Sequence, residues 1–281
     1  MKSVIQGMRR EDGPSGDRKL SLPMGNGHLV KLADPNCHFD TSSSTFACTR
    51  WALLHTMLHC LMRGGEPGTC SVNSAFDPKT GLCWSHFKWM DLASGLTATI
   101  TDKNGLIYFV LTILVYAIKD VNATHKRVPI QIRSKHPTSY GLRDIKCPYT
   151  AIWRSWCQRL DQEDVTAKNL EPFFTNAQGE ALDTDTIRAF IREAAAALSL
   201  NPELFGSSAL RRGGATDLRD VLGSHAAKEL IKQRGRWATD IYDIYARAST
   251  REHAEASAAI GRADALTLET SNPGWTQPTR F

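Results

Sequence analysis

Two adjacent arginines, Arg211 and Arg212, stand at the start of a predicted helix in the stretch SSALRRGGATDLRDVL. The first turn of a helix favours anions because its backbone N–H groups lack partners and the helix dipole is positive there. Ser208 lies three residues before Arg211, so both side chains are expected on one helical face. This spacing indicates a phosphate site. The alternative is that Ser208 only caps the helix while the arginines are solvated.

Two glycines and two tyrosines near these arginines also suggest chemistry. Gly213 and Gly214 each cost about 1 kcal/mol relative to alanine inside a helix, so a close backbone approach is expected, either by a packed element or by DNA. Tyr242 and Tyr245 lie three residues apart on a further short predicted helix. Tyrosines at helical spacing usually pack against a core, so spacing alone does not make Tyr245 a nucleophile.

Taken in order, these residues resemble the C-terminal half of the tyrosine recombinases of the phage-integrase family. Their signature reads H-x-x-R-x-G-G-A-T, then G-H or G-W, then a tyrosine. Here the sequence gives SALRRGGAT from Ser208, then GRW from Gly235, as in eukaryotic mobile-element members. Tyr245 follows Gly235 by ten residues (245 − 235), the usual spacing of the family. Upstream, HCLMRGGE resembles the first-arginine motif R-x-x-E, and VPIQIRSKHPTSYG resembles the hairpin that carries the catalytic lysine.

The resemblance implies a set of catalytic residues: Arg63, Lys135, Ser208, Arg211, Arg236 and Tyr245. Tyr245 would attack a DNA phosphate and form a 3′-phosphotyrosyl bond. Arg63, with Glu66 as its acidic companion, and Arg211 would bind the non-bridging oxygens. Lys135 would protonate the departing 5′ oxygen. We therefore expect these residues to converge on one basic cleft. Without the resemblance, Arg63 is equally an ordinary helix C-terminal charge, and Lys135 a solvated turn lysine.

Two positions depart from the family pattern, and they define the alternatives. Ser208 stands where the family has histidine, and Arg236 stands where it has histidine or tryptophan. Serine is neither an acid nor a base near pH 7. The first hypothesis is DNA strand cleavage and rejoining, in site-specific recombination or integration of a mobile element. The second is a catalytically degenerate DNA-binding remnant, and the third is a relative of type IB topoisomerases.

Composition fits a DNA partner and does not suggest a membrane partner. The formal net charge is +5 and the sequence pI is about 8.8, which suits double-stranded DNA. The most apolar run, residues 106–118, is too short to span a bilayer.

The seven cysteines form no CxxC pair, so an intracellular location is expected, nuclear in a eukaryote and otherwise cytoplasmic. We expect no metal and no small-molecule cofactor, because no P-loop or HExxH motif is present. The resemblance further implies self-association on DNA.

The elements that must position these residues indicate an α+β fold, mainly α, with a small antiparallel sheet. Strand-like segments occupy 70–76, 81–89, 96–101, 106–118 and 128–133. One helix is expected from Ser43 to Gly64, and the second half reads as helices. We predict that 1–42 is a linker following a missing or truncated N-terminal core-binding domain. Residues 43–262 form the catalytic domain, and 263–281 form a flexible tail.

Overall fold

The computed structural model of the chain describes residues 21–91, 109–116, 127–133, 144–160 and 169–236. Within these ranges the fold is mainly helical with a small antiparallel sheet, which confirms the predicted α+β class. The helices are α1 (Asn26–Leu32), α2 (Thr45–His59), α3 (Pro148–Leu160), α4 (Thr184–Ala197), α5 (Ala209–Leu222) and α6 (Ser224–Gly235). No helix in the described ranges is both long enough and apolar enough to cross a membrane.

The sheet consists of β1 (Phe87–Asp91), β2 (Phe109–Tyr116) and β3 (Arg127–Arg133), in that spatial order and antiparallel throughout. Leu111, Ile113 and Val115 alternate along β2 and are buried, which places one face of the sheet on the core. The predictions of strands in 106–118 and 128–133 are confirmed, and β1 covers the end of the predicted 81–89 strand. The predicted strand at 96–101 lies outside the described residues.

Residues 70–76 form turns, so the strand predicted there is wrong. The Ser74 N–H donates to the carbonyl of Ser71 at 3.0 Å, and the two serine hydroxyls lie 2.8 Å apart. Val72 is 74% exposed, so it packs on no sheet face. Short polar side chains that bond to the local backbone favour a turn over a ladder, and here they outweigh a weak apolar alternation.

Helix α2 forms the centre of the core. Its N-terminus is capped by Ser44, whose Oγ accepts a hydrogen bond from the Ala47 N–H at 3.1 Å. Every residue from Ala47 to Leu58 is buried, so the helix is covered on all sides rather than on the single face that the sequence indicated. It ends at His59, earlier than predicted, in a turn where the Met62 N–H donates to the Met57 carbonyl at 3.0 Å.

The packed core begins earlier in the chain than the domain start predicted at residue 43. Met24, Leu29 and Leu32 are at most 1% exposed, although they fall in the segment expected to be a linker. The N–H of Met24 donates to the carbonyl of Ala209 at 3.0 Å, which fixes this segment to the start of α5. A seven-residue helix such as α1 is too short to show a clear apolar period in the sequence, so pattern reading missed it.

The helices of the second half agree with the sequence. Asp183 caps α4 as expected, because its Oδ1 accepts hydrogen bonds from the N–H groups of Asp185 (2.7 Å) and Thr186 (2.9 Å). Helices α5 and α6 begin within one residue of the predicted starts and pack against each other. The last predicted helix, starting at Thr239 or Asp240, lies outside the described residues, as does the predicted tail at 263–281.

Helix packing explains the two glycines of α5. A Cβ on Gly213 would overlap the carbonyl of Met24, and a Cβ on Gly214 would overlap the carbonyl of Leu58. The helix thus lies directly against the segment before α1 on one side and against the last turn of α2 on the other. The sequence left open whether a packed element or DNA approaches these glycines. The structure shows a packed element at both of them.

We expect Gly213→Ala to lower the free energy of unfolding by about 2 kcal/mol, because the added Cβ must displace a backbone carbonyl and overpacking outweighs the gain in helix propensity. Urea unfolding followed by circular dichroism measures this loss. The matched control is Gly27→Ala, because Gly27 is helical and exposed and a Cβ there would meet nothing within 4 Å. Equal effects at the two glycines would contradict the packing explanation.

Candidate active site

Three arginines from distant parts of the chain meet just beyond the C-terminus of α2. Arg211 on α5 donates from Nη1 to the carbonyl of Leu61 at 2.6 Å, and Arg236 donates from Nη2 to the same carbonyl at 3.4 Å. Arg63 follows Leu61 by two residues. We call Arg63, Arg211, Arg236 and their counter-ion Glu66 the arginine cluster.

Glu66 joins two of these arginines. Its Oε1 accepts from Arg63 Nη1 at 2.7 Å, and its Oε2 accepts from the Arg63 backbone N–H at 2.8 Å. Oε2 also accepts a hydrogen bond from Arg236 Nη2. The side chains of Glu66 and Arg236 are each 2% exposed, whereas that of Arg63 is 23% exposed. Arg63 is therefore the member of these ion pairs that solvent or a ligand can reach.

Backbone conformation at the cluster departs from that of ordinary helices. Leu61 has φ of 48° and Arg236 has φ of 55°, both in the left-handed region, which is unfavourable for residues that carry a Cβ. Such residues persist only when surrounding contacts hold them. The contacts are visible here, because Arg236 Nη1 donates to the carbonyls of Cys60 (2.9 Å) and Arg234 (2.7 Å), while Arg211 Nη2 donates to the Gly235 carbonyl (2.6 Å).

The electrostatics of the cluster favour an anion. Three guanidinium groups and one carboxylate give a formal charge of +2 (3 − 1). Burial lowers the pKa of Arg236, and Glu66 opposes that change. An arginine starts from so high a pKa that Arg236 keeps its proton at any ordinary pH. Burial also raises the pKa of the adjacent Cys60 thiol to about 12, so this thiol adds no negative charge near neutrality.

The alternative in which Ser208 only caps α5 and the two arginines are solvated does not agree with the structure. Arg211 and Arg212 are 3% and 5% exposed, so both are buried. Ser208 occupies the N-cap position of α5, but its side chain makes no capping hydrogen bond. The preceding Ser207 lies against the Arg63 turn, since a Cβ on Gly64 would come within 2.6 Å of Ser207 Cβ. The start of α5 therefore lies beside that turn.

Two of the predicted catalytic residues, Lys135 and Tyr245, lie outside the described residues, and so does the alternative tyrosine, Tyr242. Strand β3 ends at Arg133, two residues before Lys135 in the chain (135 − 133). Arg236 precedes Tyr245 by nine residues (245 − 236). The described part of the chain thus brings together Arg63, Arg211 and Arg236, and the roles of Lys135 and Tyr245 stay predictions.

Two features of the site were not anticipated. One is the carbonyl of Leu61, which no sequence pattern marks because every residue carries a carbonyl. The other is Arg234, which donates from Nη1 to the His59 carbonyl at 2.9 Å and from Nη2 to the Gln131 carbonyl at 3.4 Å. A basic residue in the last turn of a helix is expected to interact with the carbonyls of its own helix. The position of Arg234 in the last turn therefore indicates that it binds carbonyls. It does not indicate that these carbonyls belong to His59 and Gln131 in other elements.

Comparison with known proteins gives a distant structural likeness. No protein-family model matches the sequence, and no curated protein matches it. Among solved structures, the chain is similar to the crystal structure of XerA recombinase, with a TM-score of 0.45 and 13% sequence identity. The alignment covers 88% of this chain and 66% of that chain, so this chain spans just under two thirds of the length of the matched one.

We expect Glu66→Gln to lower the free energy of unfolding by about 3 kcal/mol, because the change leaves the buried Arg236 without its carboxylate. Urea unfolding at pH 7 measures the loss. The control is Glu203→Gln, which breaks an ion pair with Arg192 in which the Glu203 side chain is 72% exposed. That variant should stay within about 0.5 kcal/mol of the parent. A small loss at Glu66 would show that its carboxylate does not compensate a buried charge.

Proposed function

We propose that this chain cleaves and rejoins strands of duplex DNA through a covalent 3′-phosphotyrosyl intermediate, in site-specific recombination or in the integration of a mobile element. The observation that carries the proposal is the convergence of Arg63, Arg211 and Arg236 at the turn after α2. There Arg211 and Arg236 donate to the carbonyl of Leu61, while Arg63 and Arg236 both pair with Glu66. These arginines are spread over 173 residues (236 − 63). The resemblance had placed all three in one basic cleft, and residues that only resembled the motifs by chance would have no reason to meet.

The proposed reaction is a transesterification at a DNA phosphate. The hydroxyl oxygen of Tyr245 attacks phosphorus, the new P–O bond to tyrosine forms, and the P–O5′ bond breaks. The tyrosine proton passes to water, and Lys135 supplies a proton to the departing 5′ oxygen. The intermediate keeps the energy of the phosphodiester, so attack by a 5′ hydroxyl reverses the steps and rejoins the strand.

The arginine cluster would stabilise the charge that develops on the two non-bridging oxygens. Guanidinium groups bind such oxygens in forked geometry, and a preorganised cation in a site of low polarity stabilises a transition state more than it does in water. The 23% exposure of Arg63 makes it the member that first contacts the phosphate. Arg211 and Arg236 lie deeper, where their hydrogen bonds to backbone carbonyls hold the positive charge in place.

A second candidate function is that of a DNA-binding remnant without turnover. The observation that favours it is Ser208, which stands at the histidine position and whose hydroxyl cannot accept the tyrosine proton at neutral pH. In this function the cluster still binds phosphate, but Tyr245 forms no bond to DNA.

Tyr245→Phe should abolish a covalent adduct with nicked suicide DNA while folding and DNA binding persist, because the change removes only a hydroxyl. The adduct is measured as a shifted band on a denaturing gel. Tyr242→Phe is the matched control and should keep the adduct. Loss of the adduct with Tyr242→Phe alone would overturn the assignment of the nucleophile.

If the parent forms no adduct, Ser208→His separates the two candidate functions. This variant restores the side chain that the family pattern has at that position. An adduct gained by Ser208→His, and lost again in the double variant with Tyr245→Phe, supports a decayed recombinase. No adduct in either, with DNA binding retained, supports the binding remnant.

Binding to duplex DNA should weaken steeply with salt, because each neutralised phosphate releases counterions and contributes a slope of about −0.9 in log K against log salt. Fluorescence anisotropy with a labelled duplex, from low to high salt, measures the slope. A flat salt dependence would exclude DNA as the partner under both candidate functions.

A further inference from the structure

Arg234 binds backbone carbonyls of two other elements from its place on the last turn of α6. Its Nη1 donates to the carbonyl of His59, the last residue of α2, at 2.9 Å. Its Nη2 donates to the carbonyl of Gln131 in β3 at 3.4 Å. One guanidinium group therefore ties together the ends of two helices and a strand.

Gln131 offers this carbonyl because, among the strands that the structure describes, β3 lies at one end of the order β1-β2-β3. Within those strands, Arg127–Arg133 pair with β2 alone. The other side of an edge strand presents N–H and C=O groups that make no ladder bonds. Arg234 binds one of these carbonyls and so connects β3 to the C-terminal ends of α2 and α6.

Each element that Arg234 joins leads within four residues to a member of the proposed catalytic set. Arg63 follows His59 by four residues (63 − 59), Arg236 follows Arg234 by two (236 − 234), and Lys135 follows Gln131 by four (135 − 131). A connection of four residues spans at most about 14 Å, so Lys135 lies within that distance of Gln131 along the chain.

We infer that Arg234 is a positioning residue for proton transfer to the leaving group: it anchors β3, the strand that leads to Lys135, against the α2 and α6 ends that lead to Arg63 and Arg236. This inference rests on the proposed function. It deepens that function by assigning a side chain that touches no reacting atom. Arg234 acts through the strand it holds, so its loss should affect departure of the 5′ oxygen more than binding of the phosphate.

The test compares two suicide DNA substrates that differ in one bridging atom, oxygen or sulfur at the 5′ position. With sulfur, the P–S bond breaks and the group leaves as a thiolate. This leaving group needs no proton, because a thiol is far more acidic than an alcohol, as the cysteine pKa of about 8.5 illustrates. With oxygen, departure needs the donor. The variants are Arg234→Met and, as matched control, Arg188→Met, which removes an exposed helical arginine that pairs with Asp185.

We expect Arg234→Met to cleave the oxygen substrate roughly 100-fold more slowly than the parent, the scale of a general acid's contribution. The sulfur substrate should be cleaved at close to the parent rate, and Arg188→Met should match the parent on both. Arg234→Lys, which keeps the charge but not the fork, should fall between. Equal losses on the two substrates, or no loss on either, would overturn the inference.

Amide hydrogen exchange separates this inference from the proposed function. Peptides covering residues 127–133 should exchange faster in Arg234→Met than in the parent and in Arg188→Met, because the strand loses its anchor. Unchanged exchange there would overturn the inference whether or not the parent cleaves DNA. A parent that cleaves neither substrate, together with faster exchange in Arg234→Met, would reject the proposed function and proton transfer with it, while the anchoring of β3 would stand.

Discussion

The carboxylate of Glu66 makes it possible for the buried Arg236 to lie beside the partly exposed Arg63. Removing a guanidinium group from water costs several kcal/mol, and a second positive charge nearby adds repulsion. Glu66 offsets both effects, because one oxygen binds Arg63 and the other binds Arg63 and Arg236. The positive site, the turn after α2 and the end of α6 all depend on this single buried negative charge.

Helix C-termini supply the remaining acceptors. The carbonyls that accept from Arg211 and Arg236 belong to Cys60, Leu61, Arg234 and Gly235, which lie at or just beyond the ends of α2 and α6. The last carbonyls of a helix lack partners within it and form the negative end of its dipole. Arginine side chains satisfy those carbonyls here and are held in place by them. The backbone groups therefore orient the buried Arg211 and Arg236, while Glu66 orients Arg63, the more exposed of the three.

Close packing of backbone against backbone brings the helix ends together. Gly213 and Gly214 let α5 approach the Met24 carbonyl on one side and the Leu58 carbonyl on the other. That approach places Arg211 within reach of the turn after α2. The left-handed conformations of Leu61 and Arg236 are unfavourable alone, and the hydrogen bonds of the cluster compensate for them. The glycines and the two strained residues therefore belong to one arrangement.

The sequence by itself determined the class of fold and the helices that carry caps and a clear apolar period, and it is the basis on which residues are proposed to act on a phosphate. It could not place α1, whose seven residues are too few to show a period. It also located the anion site at the N-terminus of α5, whereas the side chain of Arg211 lies at the C-terminal ends of α2 and α6. Only the tertiary structure decided this point, and the carbonyl contacts of Leu61 and Arg234 as well. The physical reason is that backbone carbonyls are the same in every residue, so which of them a charged side chain meets depends on packing between distant elements and not on local sequence.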